Sequence, residues 1–433
     1  MVTKEQFEYT VKILFKLIGI DEGSIVFPFI GENVAKFRNQ VIFFSVLDDA
    51  ETEKLLEGTI KPSMYRIDGI NKEVPVFLPH ENNKTIDGII IEIDIITLSF
   101  YLLSRKEEVN KPRDQFGRFR FENSLSCKYG IIDYPIVDYY ALILAERLNL
   151  DKKNSHYEAH NLLLTHDVDS LKRFDGLMGS IKSILGGDIF LRKSIKLALS
   201  SFKDLFQVIM GKPDPEIRGL VELLNKSIEY NCYSEFYFKG IGREEKGNKY
   251  DISTIPTSFF EGLKKEHYGI GFHGDIGSSI NDIQFANEKV YVEKKININS
   301  IDRGRQHYLS FDALKTPAIW EMNGIKYDST LGFCDREGFM CGTCHEYPLY
   351  DLIHDKQLNV IERPLLVMDC TLRDYRKMSM MDALDVLIKY AEIVKQVKGQ
   401  FVILWHNGCT YRDWSDWYKN VYCVFLREYN KRF

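Results

Sequence analysis

Between residues 162 and 404 short apolar runs recur, each followed by polar residues and then by a longer stretch with helical spacing. The runs lie at 162–164, 235–238, 270–272, 325–327 and 402–404, and four of them end in a reactive group: Asp167 with Asp169, His273, Asp328 and His406. An alternation of strand and helix predicts parallel strands whose carboxyl ends open on one face, where catalytic groups collect. The pair Asp167 and Asp169 is the sharpest of these endings. Residues two apart in an extended chain point the same way, so both carboxylates project into one volume. Like charges that close oppose one another's ionisation unless a cation or a hydrogen-bond donor intervenes. The pair therefore predicts a metal site with an adjacent base, or a carboxylate dyad. The plainer alternative is that Asp169 caps the next helix.

Composition narrows the class. The chain has 433 residues, 45% hydrophobic and 27% charged, which describes a soluble globular protein long enough for two domains. A net charge of -5 provides no basic field for a nucleic acid, so none is expected as partner. The opening residues, 1–20, mix Lys4, Glu5, Glu8, Lys12 and Lys16 with apolar residues at helical spacing, and read as an amphipathic helix rather than a signal peptide. No uncharged run is long enough to span a bilayer, so a cytoplasmic location is expected, with the eight cysteines as reduced thiols. The pattern changes near residue 150. Residues 1–150 read as a smaller α+β or α/β accessory domain, with strands at 41–44 and 89–91, helices at 96–107 and 135–148, and a polar loop at 110–123. Within the second part, Cys341, Cys344 and His345 form a Cys-x-x-Cys-His sequence. Haem attachment is excluded without export. Zinc held by Cys334, Cys341, Cys344 and His345 stays open beside a tight turn with packed thiols.

Four ordered motifs carry a family resemblance: Thr165-His166-Asp167-Val168-Asp169, Gly271-Phe272-His273-Gly274, Arg305-Gln306-His307-Tyr308 and Leu404-Trp405-His406-Asn407. With them, residues 160–433 resemble the polysaccharide deacetylase (NodB-homology, carbohydrate esterase family 4-like) superfamily, and in particular a bacterial subgroup with an extra N-terminal domain. The resemblance implies a distorted (β/α) barrel and a metal-dependent N-deacetylase of an acetylated sugar in a polysaccharide or its precursor. By motif position Asp167 is the base, Asp169 and His273 are metal ligands, His406 is the general acid, and Arg305 holds the base. Tyr308, His307, Asp328 and Trp405 fall on the substrate side. The implied cofactor is a divalent ion, zinc or manganese, cobalt or nickel. One departure stands out. The family's second histidine ligand falls at Gly277, which leaves Asp275, Ser278 or His307 to substitute, or else leaves a glycan-binding or assembly protein without catalysis.

An insertion at 172–215 is apolar, basic and poor in acids, with Lys182, Arg192, Lys193, Lys196 and Lys203 spread through it. Its readings are a pair packed on its own domain, a lid, an oligomer contact, or an interfacial segment seeking anionic lipid.

Overall fold

The computed structural model describes residues 2–28, 33–67, 70, 72–79, 88–150, 161–240 and 250–433. Its centre is a nine-stranded sheet built from β1 (Asn161–Val168), β2 (Tyr233–Lys239), β3 (Gly269–Gly274), β4 (Arg303–Gln306), β5 (Tyr327–Asp328), β6 (Tyr347–Asp351), β7 (Lys356–Glu362), β8 (Val367–Met368) and β9 (Gln400–Leu404). The spatial order is β6-β7-β5-β4-β3-β2-β1-β9-β8. Every neighbour pair is parallel except β6 with β7. Strands β1 to β5 follow one another in space as in sequence, and the helices Pro215–Glu229, Thr257–Lys265, Asp282–Ile296 and Thr316–Met322 make the crossovers. The amide of Leu365 donates to the Leu331 carbonyl at 3.0 Å and that of Leu366 to Val402 at 3.1 Å, which curls the sheet towards a barrel.

The local reasons are ordinary. β1 and β9 are buried on both faces, as central parallel strands must be, and so read as continuous apolar runs. Asp214, Asn281 and Ser379 each accept a backbone N–H at the start of a helix. β4 lacks such a run: it is Arg303-Gly304-Arg305-Gln306, held as strand by its neighbours rather than by propensity. Gly304 shows how tightly. A Cβ there would lie 2.0 Å from the Phe272 carbonyl oxygen of β3. Gly304→Ala is expected to lower stability by at least about 1–3 kcal/mol, the usual cost of overpacking, read as a lower urea midpoint with an unchanged m-value.

The described residues between 2 and 150 pack on this sheet. The helix Lys4–Leu17 opens with a Thr3/Gln6 capping box, and the Tyr9 hydroxyl donates to the Pro348 carbonyl at 2.7 Å. A three-stranded sheet is formed by Val34–Phe37, Gln40–Phe44 and Ile89–Ile91, beside the hairpin Ser63–Arg66 with Glu73–Val76. One apolar cluster runs from Phe7 through to Tyr429. The helix expected at 96–107 stops earlier, as Thr97–Leu103, because Arg105 turns left-handed at φ 56°. There its buried guanidinium meets Glu107 at 2.8 Å, Glu108 at 2.7 Å and the Met340 carbonyl at 2.8 Å. A charge pair of that depth fixes the backbone against helix propensity. The boundary expected between 150 and 160 falls outside the described residues.

The insertion forms the helix Leu177–Ser183, wide π-type turns over Ile184–Leu191, and the helix Ile195–Ile209. Phe174, Ile184, Ala198 and Leu205 give it a small core of its own. Among the described residues no helix is long and apolar enough to cross a membrane.

Candidate active site

The carboxyl ends of β1, β3 and β4 and the residues after β8 and β9 meet at one rim. Thr165 and Asp167 share a face of β1, and Arg305 reaches both from β4 at 2.9 Å each. Arg305 also donates to the Ser329 carbonyl at 2.6 Å and to its hydroxyl at 3.1 Å, so its fork is fixed on four oxygens. The Asp167 Oδ1 is thereby occupied. Its Oδ2 lies 3.8 Å from His273 Nε2. His166, pointing to the opposite face, packs against Phe236 and Tyr422, and its Nδ1 meets the Trp405 carbonyl at 2.8 Å. Burial pulls its pKa down to about 4, so it is a neutral core residue.

Asp169 is the electrostatic centre. Its Oδ1 lies 3.2 Å from His273 Nε2, 3.4 Å from His307 Nε2 and 3.4 Å from Lys239 Nζ, and its Oδ2 is 3.6 Å from His406 Nε2. Burial favours its neutral form, but Lys239, His307, His273 and His406 outweigh that and hold the carboxyl well below the usual range. Burial acts the other way on His307 and lowers its proton affinity despite Asp169. An ionised carboxylate with neutral imidazole is the protonation pattern that metal binding needs.

Asp169, His273 and His307 have ligand atoms within 4.8 Å of one another, and the surrounding bonds fit a divalent ion. His273 Nδ1 is turned to the Arg305 carbonyl at 2.9 Å, while its buried Nε2 and the Asp169 Oδ1 have no hydrogen-bond partner. Asp275 stands 3.5 Å behind His307 Nδ1. Backbone carbonyls and carboxylates in these positions orient metal-binding histidines. Gly277 is left-handed at φ 93° in the turn before the short helix Ser278–Ile280, and the second imidazole beside Asp169 is that of His307, from the end of β4.

His406 follows β9. Its Nδ1 meets Asp369 Oδ1 at 2.8 Å and its amide donates to Oδ2 at 2.8 Å. Burial disfavours the imidazolium, but Asp369 more than compensates and raises His406 well above the ordinary histidine value. Asp369 was not singled out in the sequence. It closes the apolar run 365–368 just as Asp167 closes 162–164, so the same signal was available. The raised His406 has a direct consequence. Its contribution to stability is complete below about pH 6.5, the ordinary unfolded value, and is lost as pH rises through the higher folded value. Asp369→Asn removes the cause, so the variant's stability is expected to respond less to alkaline pH, as paired pH–melting profiles of the two proteins measure.

These groups line a cavity of about 340 Å³, with Asp167, Asp169, His307, Tyr308 and His406 among its walls. That volume suits a small ligand. Tyr308 and Leu309 are successive left-handed residues, φ 61° and 57°, a strain concentrated where function usually sits. Phe116 stacks on Tyr308 with ring centroids 4.3 Å apart, and Arg118 lines the same cavity while donating to the Tyr375 hydroxyl at 3.0 Å. The loop at 110–123 thus reaches over the site from the first part of the chain. Nothing local in its sequence announced that.

Two residues placed on the substrate side lie elsewhere. Asp328 is fully buried, accepting from the Thr330 amide at 2.9 Å, and burial pushes it up to about 7 beside Glu362. Trp405 is buried against Tyr422, with its Nε1 donating to the Cys409 carbonyl at 2.9 Å. Neither lines the cavity, because alternate residues at a strand end face opposite sides. Nor do Cys334, Cys341, Cys344 and His345 converge: Cys344 and His345 gather with Asp138, whereas Cys334 lines the cavity. A further group, Asp369, Cys370, His406 and Cys409, also brings ligand atoms within 4.8 Å. Its histidine and carboxylate are already bonded to each other.

Comparison with known proteins adds little to this geometry. No curated protein matches the chain. Among solved structures, a "putative polysaccharide deacetylase from Mycobacterium smegmatis" is 14% identical and superposes with a TM-score of 0.39, covering 64% of this chain and 86% of that one, a likeness too weak to bear on function. Residues 2–153 match a family of unknown function, DUF7033.

Proposed function

We propose that the chain is a metal-dependent amide hydrolase that removes the acetyl group from an N-acetylated sugar. The observation that carries this reading is the meeting, at one rim, of a clamped carboxylate, an Asp-His-His donor set and a carboxylate-backed histidine. Asp169, His273 and His307 would hold the ion. Three protein ligands of this kind are the usual complement of a catalytic zinc, and the same set accepts manganese, cobalt or nickel. A bound ion of this type polarises the amide carbonyl and lowers the pKa of a water. The chain's own groups do the rest. Asp167, with Oδ1 tied to Arg305, offers Oδ2 to take a proton from the attacking water. His406, kept charged by Asp369, donates a proton from Nε2 to the departing amine. The Tyr308 backbone and side chain form the wall against which the acyl group rests.

The test pairs elemental analysis of the purified protein with an assay for acetate release across a panel of N-acetylated sugars. Near-stoichiometric metal and acetate release support the reading. A second reading has one specific observation in its favour: Lys239 Nζ lies 3.1 Å from His307 Nε2 and 3.4 Å from Asp169, so the chain already supplies a cation there. No metal after incubation with zinc, manganese, cobalt or nickel, together with no acetate release, would favour that alternative, a glycan-binding protein without catalysis.

A further inference from the structure

A second cavity, also of about 340 Å³, opens beside the first and shares Asp169, Cys370 and His406 with it. Its far wall carries Arg173, Arg192 and Arg412. All three guanidiniums turn to one carboxylate: Asp188 is ion-paired with Arg412, and lies 3.6 Å from Arg192 and 3.7 Å from Arg173. That carboxylate is buried, and the Ser201 hydroxyl also donates to it at 2.6 Å. Three guanidiniums thus share one buried carboxylate. Asp413 is ion-paired with Arg373 at 2.9 Å, and the carboxylate of Asp214, which accepts the backbone amides of Arg173, Phe174 and Glu216, caps the helix beside them. Glu216, bonded to the Tyr411 hydroxyl at 2.7 Å, is pushed by burial up to about 7 and so carries only part of a charge at neutral pH.

Two marks of strain accompany this excess. Arg412 is held left-handed at φ 55°. Its proton affinity is lowered by burial and by Arg173, whereas Arg105, Arg120, Arg303 and Arg363 are all raised by their carboxylates. Guanidiniums that outnumber the carboxylate they share, beside a cavity, are the chemistry that recognises phosphate, by paired charge-assisted hydrogen bonds.

The surface next to them indicates what else the ligand carries. Arg192 ends the π-type turns of the insertion, and the outward face of that helix pair is apolar: Phe190 is 75% exposed, Leu191 83%, Ile195 71% and Met210 68%. Lys182, Lys193, Lys196 and Lys203 are exposed along the same segment. Apolar side chains interleaved with lysines match an anionic bilayer surface, which supplies both hydrocarbon and negative charge. We propose that the second cavity is a phosphate subsite for a lipid-linked sugar, with the helix pair lying on the bilayer and the acyl end of the sugar reaching Asp167 and His406. This rests on the deacetylase reading only for what happens at the acyl end.

The test uses the full chain and has two arms. Isothermal titration with inorganic pyrophosphate reads the cavity, in the wild type, in Arg192→Glu, in Arg412→Gln and in His273→Ala. Binding is expected in the wild type and in His273→Ala, which loses a donor of the proposed metal site without touching the second cavity, and about tenfold or more weaker in Arg192→Glu, the loss of one charge-assisted contact. Arg192 is half exposed, so its variant should fold even if Arg412→Gln does not. Co-sedimentation with vesicles of phosphatidylcholine and phosphatidylglycerol reads the helix pair, with phosphatidylcholine alone as control and, as the variant, Leu199→Asp with Phe206→Asp, two further exposed apolar residues of the helix Ile195–Ile209. Association with the anionic vesicles, lost in that variant, is expected. Pyrophosphate binding that is absent, or indifferent to both arginine substitutions, overturns the subsite. Pyrophosphate binding without vesicle association overturns the lipid part and points to a soluble phosphorylated sugar. Success in both arms with no acetate release from any sugar would overturn the deacetylase reading and leave the subsite standing.

Discussion

His307→Ala is expected to empty the metal site and reduce acetate release by at least about 100-fold, since even an outer-sphere partner of a metal costs 10–100-fold. The substitution leaves Asp169 and His273 as donors, short of the three that a catalytic zinc requires. Elemental analysis and an acetate assay on the same preparation measure both effects, and activity should recover partly at high metal concentration. Metal content unchanged by this substitution would remove His307 from the ligand set. Folding should be little affected, because His307 sits at the cavity wall and burial already keeps it largely uncharged.

The second large effect is expected from Asp167→Asn. The amide can still accept from Arg305, so melting temperature and metal content should stay near wild type, while kcat falls by about 10²–10⁴-fold, the range for loss of a general base. Asp167→Ala is the contrasting case. It strips a buried guanidinium of its one carboxylate partner and is expected to cost about 3–5 kcal/mol in stability, the usual penalty for breaking a buried pair. A full rate in Asp167→Asn would transfer the base role elsewhere, and the geometry offers Asp169 least of all, since its charge is already claimed by three histidines and a lysine.

Much of the site could be read in one dimension because strand periodicity is short-range. Apolar runs ending in Asp167, His273 and His406 marked the strand ends that the sheet gathers, and the alternation of strand and helix fixed their common face. β4 escaped this reading: its four residues carry two arginines and a glycine, explained only by tertiary neighbours, Glu235 for Arg303, the Phe272 carbonyl 2.0 Å from a would-be Cβ for Gly304, and Asp167 for Arg305. Asp328 and Trp405 were misplaced because sequence gives a strand end but not which side of it faces the cavity. Asp369 carried the signal and was passed over.

His307 was one of three substitutes open for Gly277, and only the fold brings its Nε2 to 3.4 Å from Asp169. Other features had no local sequence signal at all. The stacking of Phe116 on Tyr308, and the convergence of Arg173 and Arg412 on Asp188 beside its i,i+4 neighbour Arg192, join residues up to hundreds of positions apart. By itself the sequence determined which side chains end the strands, since that follows from hydrophobic alternation along a few residues. Which of those side chains meet, and which distant loop completes the cavity, was decided only by the packing of the curled sheet, because contact between remote segments is a property of the whole fold.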